Sequence, residues 1–431
     1  MTEPRATAIY LCYFGLREPL VQTQVLPYLR AIAASGIEVT LLTFEPKQPS
    51  WTPAEIDDAT LALAASGIAW QRRRYHRRPS VPATLLDVAV GARFVRRATR
   101  ATGVDVLHAR GHVPALMAAL GAGRRSKLLF DERGFMPEEY ADAGVWKRDG
   151  VVFRAMKAVE RRLLRRADAV VVLTERARDL VAPQLADALN GAPPPIEVIP
   201  CCVDLAAFPR PTAAAKAGAR RHLGLDGRPV LLYVGSTTGS YLFDQLVDFV
   251  LTVRRTDPTA FLLVLTQRDV VTVSDRLVGR GFGPSDFSVR TVRPTEVAAY
   301  AVAANVGLSF IAPTSSKRAS SPTKIAEYLA CGLPVVATAG TGDLDAQLTG
   351  AGVGVLVHRF DEAGYRDAAD ELRRLLREPG LAERCRATAE DLFDLETVGA
   401  VRYVGLYDRL LATSPGRSEP SGRSGRSERS A

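Results

Sequence analysis

Ser320-Ser-Pro-Thr-Lys-Ile-Ala-Glu-Tyr-Leu-Ala-Cys-Gly-Leu-Pro-Val-Val-Ala-Thr338 holds a helix start and a buried strand within one short stretch, the repeating unit of a parallel α/β fold. Ser321 is placed to cap the helix and Pro322 to occupy its first position. The first turn then carries Lys324, although cations suit the opposite end of a helix. A phosphate bound on the free amides of that turn, beside Ser321 and Thr323, would compensate for the mismatch. Glu327 follows one turn later, placed to accept hydrogen bonds from ribose hydroxyls. The plain alternative is an amphipathic helix with a solvated Lys–Glu pair.

Outward from this stretch, short Val/Ile/Leu runs alternate with helical patterns on both sides, which predicts parallel α/β units throughout. Strands are expected at 7–14, 37–43, 104–108, 127–131, 168–173 and 196–199. A second series is expected at 229–235, 260–266, 287–292, 306–310, 334–337 and 353–357. Helices are expected at 21–35, 82–102, 151–166, 362–378 and 395–412. With 431 residues the chain suits two domains. We place the first over 1–205 and the second over 206–394. A last helix over 395–413 returns to the first domain, and a Ser/Gly/Arg tail over 414–431 is expected to be disordered. Two such domains face one another across a cleft between the carboxyl ends of their sheets, where ligands bind in folds of this kind.

The composition, 47% hydrophobic and 24% charged, is that of a globular protein. Five scattered cysteines without a C-x-x-C spacing predict neither a disulfide frame nor a zinc site, and fit a cytoplasmic setting. The uncharged stretch from Val297 to Ser316 has the length of a membrane span, but Asn305, Gly307 and Pro313 interrupt it, and it reads as a helix followed by a strand. The net charge of +9 sits in the first half and the tail. Gln71-Arg-Arg-Arg-Tyr-His-Arg-Arg78, then Arg93, Arg96, Arg97 and Arg100, then Arg154, Lys157, Arg161 and Arg165, form basic runs and stripes. These would suit an anionic membrane surface on which the protein is peripheral. No zinc, helix-turn-helix or RNA-recognition signature accompanies them, so nucleic acid is not an expected partner. No Gly-x-Gly-x-x-Gly follows a strand, which argues against a dinucleotide cofactor.

Glu327 through Val336 resembles the second half of the motif of glycosyltransferase family 4, in which a second glutamate opens Glu-x-x-Ala/Leu-x-Gly-x-Pro-Val-Val. The first glutamate of that motif would fall at position 319, where this chain has Ala. The Ser-Pro-Thr-Lys form is similar to a divergent branch of the family. Val170 to Thr174, Val198 to Asp204 and Phe393 to Glu396 resemble other family segments. The resemblance implies an α/β fold of the GT-B type and a retaining transfer from a nucleoside-diphosphate sugar to a glycan, lipid-linked or small-molecule acceptor, with no metal and no cofactor beyond the donor. The family places Arg and Lys after the glycine corresponding to Gly235; here Ser236, Thr237, Thr238 and Gly239 follow, and Lys324, with Lys317 or Arg318, is the candidate for the missing charge. Gly235 and Ser236 would approach the diphosphate. Gly15 and Gln22 resemble the family's loop over donor or acceptor. The family often has a His near the reacting sugar, and His108, Arg110 and His112 all stand in that region; which of them takes the place stays open. Asp131 and Arg133 end another strand, where Arg133 suits phosphate or hydroxyl contacts. Asp343 and Asp345 have a metal-binding spacing but read as a helix cap. The rival readings are a nucleotide-sugar epimerase of the same fold and a non-catalytic protein that binds anionic surfaces.

Overall fold

A computed structural model describes residues 5–78, 80–186, 193–210, 212–225, 227–267 and 270–413. The expected tail, 414–431, lies outside the described residues.

Two parallel sheets form. The first runs β1 (Ala6–Cys12), β2 (Ile37–Glu45), β3 (Ile68–Arg74), β4 (Val106–Arg110), β5 (Lys127–Asp131), β6 (Ala169–Val172) and β7 (Ile196–Val198), in spatial order β3-β2-β1-β4-β5-β6-β7. The second runs β8 (Val230–Val234), β9 (Phe261–Leu265), β10 (Phe287–Arg290), β11 (Val306–Ser309), β12 (Val335–Thr338) and β13 (Gly354–Val357), in order β10-β9-β8-β11-β12-β13. The strand order therefore reverses between β1 and β4 in one sheet and between β8 and β11 in the other. In doubly wound sheets the crevice for a ligand opens at such reversals, because the following loops turn to opposite faces.

Most strands are fully buried Val/Ile/Leu runs with helices on both faces. β7 and β10 are only partly buried, and β3, exposed along one face, escaped the sequence reading. It is an edge strand whose Gln71, Arg72 and Arg74 are exposed, so it lacks an apolar run. Its basic residues are thus partly strand, not a free basic segment. The helix expected over 21–35 is broken into Pro19–Gln24 and Leu26–Ala34 at Val25, next to Pro27, which has no N–H for the ladder. β4 extends two residues beyond its expected end, which brings Arg110 into the strand.

The chain crosses to the second domain through Val203, which pairs with Asp394 where the chain returns. A π-helical turn, Leu395–Ala400, and the helix Val401–Ala412 then pack Leu395, Val398, Tyr403, Leu406, Tyr407 and Leu410 into the core of the first domain. No helix of the described residues is long and apolar enough to cross a membrane; 297–316 folds as a short helix, Val297–Ala303, followed by β11 and a loop.

Candidate active site at the two strand reversals

The helix Thr323–Ala330 follows β11 and is held against the sheet by Tyr328. Its ring lies over Gly307, where a Cβ would come within 2.2 Å of it, so only glycine leaves room. The Val234 N–H donates to Tyr328 Oη at 2.9 Å in place of a partner on β11. One tyrosine thus fits the helix into the β8/β11 reversal and parts the strands there.

The expected cap is not made. Pro322 occupies the cap position, no side chain caps the helix, and Ser321 Oγ instead accepts the Cys201 N–H at 3.1 Å. Ser321 is therefore a contact between the domains, and Pro322 stands one place earlier than expected. The amides of Thr323 and Lys324 have no acceptor among the described residues, so the helix presents a bare, partly positive end.

Lys324 is the most informative side chain of the site. It is 8% exposed, and its Nζ has no hydrogen-bond partner. The ammonium lies 4.4 Å from the ring centre of Tyr233 and 4.7 Å from that of Tyr241. It also abuts Gly235, the residue after β8, where a Cβ would approach Nζ to 2.9 Å on a backbone with φ of +132°. The positive φ of Gly235 is what calls for glycine there, since the crowding is only against the movable end of a lysine. The following loop is tied back by the Leu242 N–H to Phe310 O (3.0 Å) and the Ala312 N–H to Ser240 O (2.8 Å), with Ser236 O accepting from Tyr233 Oη. Burial pushes the Lys324 ammonium down to about 7, with Glu327 opposing, and burial pushes the half-buried Glu327 carboxyl up to about 7, with Lys324 opposing. Of the other cations named as candidates, Lys317 is spent on Glu139 of the first domain at 2.9 Å. Arg318 is exposed, and its backbone carbonyl accepts from Thr174.

The facing reversal, between β1 and β4, assembles a second charged cluster. Arg110 is level with Cys12 at the carboxyl end of β4. Asp131 ends β5 and is fully buried at the centre of the cluster. Arg110 Nη1 and His108 Nε2 each lie 3.6 Å from Asp131 Oδ2, and Arg133 Nη1 lies 3.6 Å from Oδ1. Tyr403 of the returning helix donates to Asp131 at 3.1 Å and accepts from Arg133 at 3.4 Å. Burial alone would raise the Asp131 carboxyl, but Arg133, the His108 bond and Arg110 outweigh it and hold it down to about 2. Two guanidiniums against one carboxylate leave a net positive charge, and His108 Nε2, Arg110 Nη1, Arg133 Nε and Asp131 Oδ1 make no hydrogen bond of normal length among the described residues. The two clusters meet through Arg133, which donates to Cys201 Sγ at 3.4 Å while Cys201 N–H donates to Ser321.

Several expected placements are corrected. His108 does not stand at a cleft-facing edge: it shares a face of β4 with Arg110, and that face is covered by the returning helix. Its ring packs among Tyr10, Tyr403 and Tyr407, 1% exposed, with Nδ1 against Tyr407 Oη at 3.1 Å. Burial pushes its pKa down, against the pull of Asp131, and so disfavours the protonated ring. His112 goes to a different cluster, beside Glu160 at 3.1 Å. Asp131 is a buried hub and is not open at the carboxyl edge. Gln22 donates to Leu16 O at 2.6 Å, and Glu45 accepts the Leu16 N–H at 2.9 Å; together they fix the Gly15 loop. Asp343 caps a helix, but the one across the interface: it accepts the Glu175 and Arg176 amides at 2.7 and 3.2 Å, and Asp345 pairs with Arg176 at 3.2 Å. Lys157 is no free member of a basic stripe, being paired with Glu138 and Glu160. Tyr403, Tyr233 and Tyr241 were missed; their hydroxyls and rings act across domains or loops, with no local sequence signal.

Two Rossmann-like domains whose strand reversals face each other define the GT-B architecture. Residues 21–202 match the family model described as "Glycosyl transferase 4-like domain". That match lies within the first domain, which is thus similar to a glycosyl transferase 4-like domain, and over its length the chain shares the GT-B fold. Among solved structures it is similar to the sucrose-phosphate synthase of Thermosynechococcus elongatus (TM-score 0.68, 20% identity, 95% of this chain and 100% of that one). It is also similar to a glycosyltransferase from Rickettsia africae ESF-5 (TM-score 0.67, 14% identity, 95% and 99%). A third is Anabaena HepE in complex with UDP and glucose (TM-score 0.64, 13% identity, 94% and 100%). No curated protein matches the sequence significantly.

Proposed function

We propose that the protein transfers a sugar, with retention of anomeric configuration, from a nucleoside-diphosphate sugar to a glycan, lipid-linked or small-molecule acceptor. The observation that carries this reading is the buried, unpartnered Lys324 ammonium at the bare helix end, against Gly235. An ammonium held out of water without a counterion is unfavourable unless a ligand supplies one. A diphosphate laid on the Thr323 and Lys324 amides meets that ammonium, and Ser236 borders the same space. As the glycosidic bond to phosphate breaks, negative charge grows on the leaving diphosphate where Lys324 and the helix end already favour it. Glu327 accepts from the ribose. Arg133, with the buried Arg110 behind it, supplies positive charge on the side of the reacting sugar, in a family branch where Ala319 replaces a carboxylate. Retention rests on the family resemblance, and the reaction so drawn calls on no cofactor besides the donor. HepE and UDP-glucose crystallise together, which supports a nucleotide sugar as the ligand class.

Calorimetry with UDP-, GDP- and ADP-sugars tests the reading. One of them binds, and Lys324→Ala and Glu327→Ala weaken it; binding with no loss in either variant overturns the site. Product analysis by NMR separates transfer from epimerisation of the donor.

For the acceptor side, the helix Ser80–Ala101 exposes Val81, Leu85 and Leu86 on the face that also carries Arg93, Arg96, Arg97 and Arg100. An exposed face of apolar and arginine side chains suits an anionic membrane surface presenting a lipid-linked acceptor to a cytoplasmic, peripheral enzyme. Flotation with anionic but not with neutral liposomes, lost in Leu85→Glu, is the expected result; equal flotation with both removes the idea.

A further inference from the structure

Behind the Asp131 cluster lies a separate buried group that the proposed reaction does not use. Three elements contribute to it. His112 is the first residue of the helix His112–Gly121, Glu132 follows β5, and Glu160 comes from the helix Val151–Arg166. His112, Glu132 and Glu160 are 5%, 2% and 1% exposed. His112 Nε2 lies 3.1 Å from Glu160 Oε2 and 3.6 Å from Glu132 Oε1, and one donor atom from each residue falls within 4.8 Å of the other two. Edges of ~3.4 Å are those of a tetrahedron around a cation with bonds of ~2.1 Å, so the triangle is slightly open but of the right size.

The independent sign of a ligand is Glu132. Both of its carboxylate oxygens are buried without a hydrogen-bond partner, and one of them faces His112. Burial, and then the charge of Glu160, push the Glu132 carboxyl well above its ordinary value. Glu160 is raised by burial too, but the His112 bond and Lys157 outweigh this and hold it below. Charge points the same way. Glu132, Glu160 and Glu138 place three carboxylates around the single ammonium of Lys157, which pairs with Glu138 at 2.9 Å and with Glu160. Three carboxylates around one ammonium are an acidic surplus that a cation would offset.

We infer that His112, Glu132 and Glu160 bind a divalent metal cation of the Zn2+ or Mn2+ class. One imidazole nitrogen with two carboxylates is a donor set for borderline to hard divalent ions. The cation is structural. It ties the first turn after β4, the end of β5 and a flanking helix together directly behind Asp131 and Arg133, whose side chains leave the chain on the other side of Glu132. It stands apart from the diphosphate at Lys324.

The full-length protein, stripped with chelator and dialysed, is titrated with Zn2+ and with Mn2+ by calorimetry, and its metal content is measured. One equivalent per chain is expected, with a higher melting temperature in its presence and a shift of that temperature to a lower value on chelation. Glu132→Gln and His112→Gln lose this uptake. Absence of stoichiometric uptake by the wild type, or undiminished uptake in either variant, overturns the site. Should the variants fail to fold, Co2+ soaked into crystals of the wild type decides: an anomalous peak between the three side chains supports the site, and a peak elsewhere or none refutes it.

Discussion

Lys324→Met separates binding from stability, because the structure gives the two opposite signs. The ammonium is brought from its ordinary 10.5 down to about 7 by burial. A shift of that size corresponds to roughly 5 kcal/mol between the charged and neutral forms. In the unfolded chain the lysine is protonated below its ordinary value, whereas in the folded, unliganded protein it gives up its proton above about 7. Stability from this group is therefore greatest at high pH, falls as pH drops from the unfolded value toward the folded one, and levels off below that. Near neutral pH most of the penalty is in force. A methionine fills the same space between Tyr233 and Tyr241 without a charge. We expect the unliganded variant to be more stable by about 2–4 kcal/mol in urea denaturation, with the gain shrinking toward pH ~10.

Binding moves the other way. A diphosphate restores the ammonium, so nucleotide-sugar binding takes up close to one proton per site above neutral pH. The affinity then falls roughly 50-fold between pH ~7 and pH ~9. Calorimetry in two buffers of different ionisation enthalpy reads the uptake directly. Lys324→Met shows neither uptake nor pH dependence and binds at least ~100-fold more weakly, the loss expected when a charged partner of a buried phosphate is removed. A variant that loses stability as ordinary core lesions do, with donor affinity intact, would refute the reasoning.

Glu327→Gln keeps the shape but weakens the acceptor for ribose hydroxyls; donor affinity drops roughly 10-fold, and a 2′,3′-dideoxy donor shows no such difference between variant and wild type. Tyr403→Phe removes the hydroxyl shared by Asp131 and Arg133, destabilises by about 1–3 kcal/mol, and lowers kcat more than it raises KM if Arg133 acts at the reacting sugar. Asp343→Ala frees the two amides it caps across the interface and costs about 1–2 kcal/mol by thermal denaturation, while Asp345→Ala, which loses a partly exposed ion pair, costs less.

What could be read from the sequence followed the range of the forces involved. Strands buried on both faces show as unbroken apolar runs, and both series were visible. β3 was not, since an edge strand carries charge on purpose and Arg72 to Arg74 looked like a basic patch. Lys324 was legible because a cation in the first turn of a helix contradicts the local preference, and such contradictions are where function shows in sequence. Its neighbours Tyr233 and Tyr241 were not, because an aromatic residue in or near a strand is usual. Asp343 was read as a cap and is one, but no local rule could say that the capped helix belongs to the other domain. The Asp131 hub was beyond reach: its partner Tyr403 lies 272 positions away and arrives only because the last helix crosses back.

That crossing explains why the chain places its charges as it does. Without the 401–412 helix, the face of β4 and β5 shared by Asp131, Arg110 and Arg133 would lie open to water; the helix buries these charges, and their mutual pairing with the Tyr403 hydroxyl offsets the cost of that burial. Tyr403 and Tyr407 close that face, and they reach it only through Val203 and Asp394, the pair on which the second domain is also hung. The link from Arg133 through Cys201 to Ser321 runs through the same crossing. The arginine cluster of one domain and the amide end of the other are thus joined through one segment, and under the proposed function a substrate that bridges them meets two sites that the returning helix brings together.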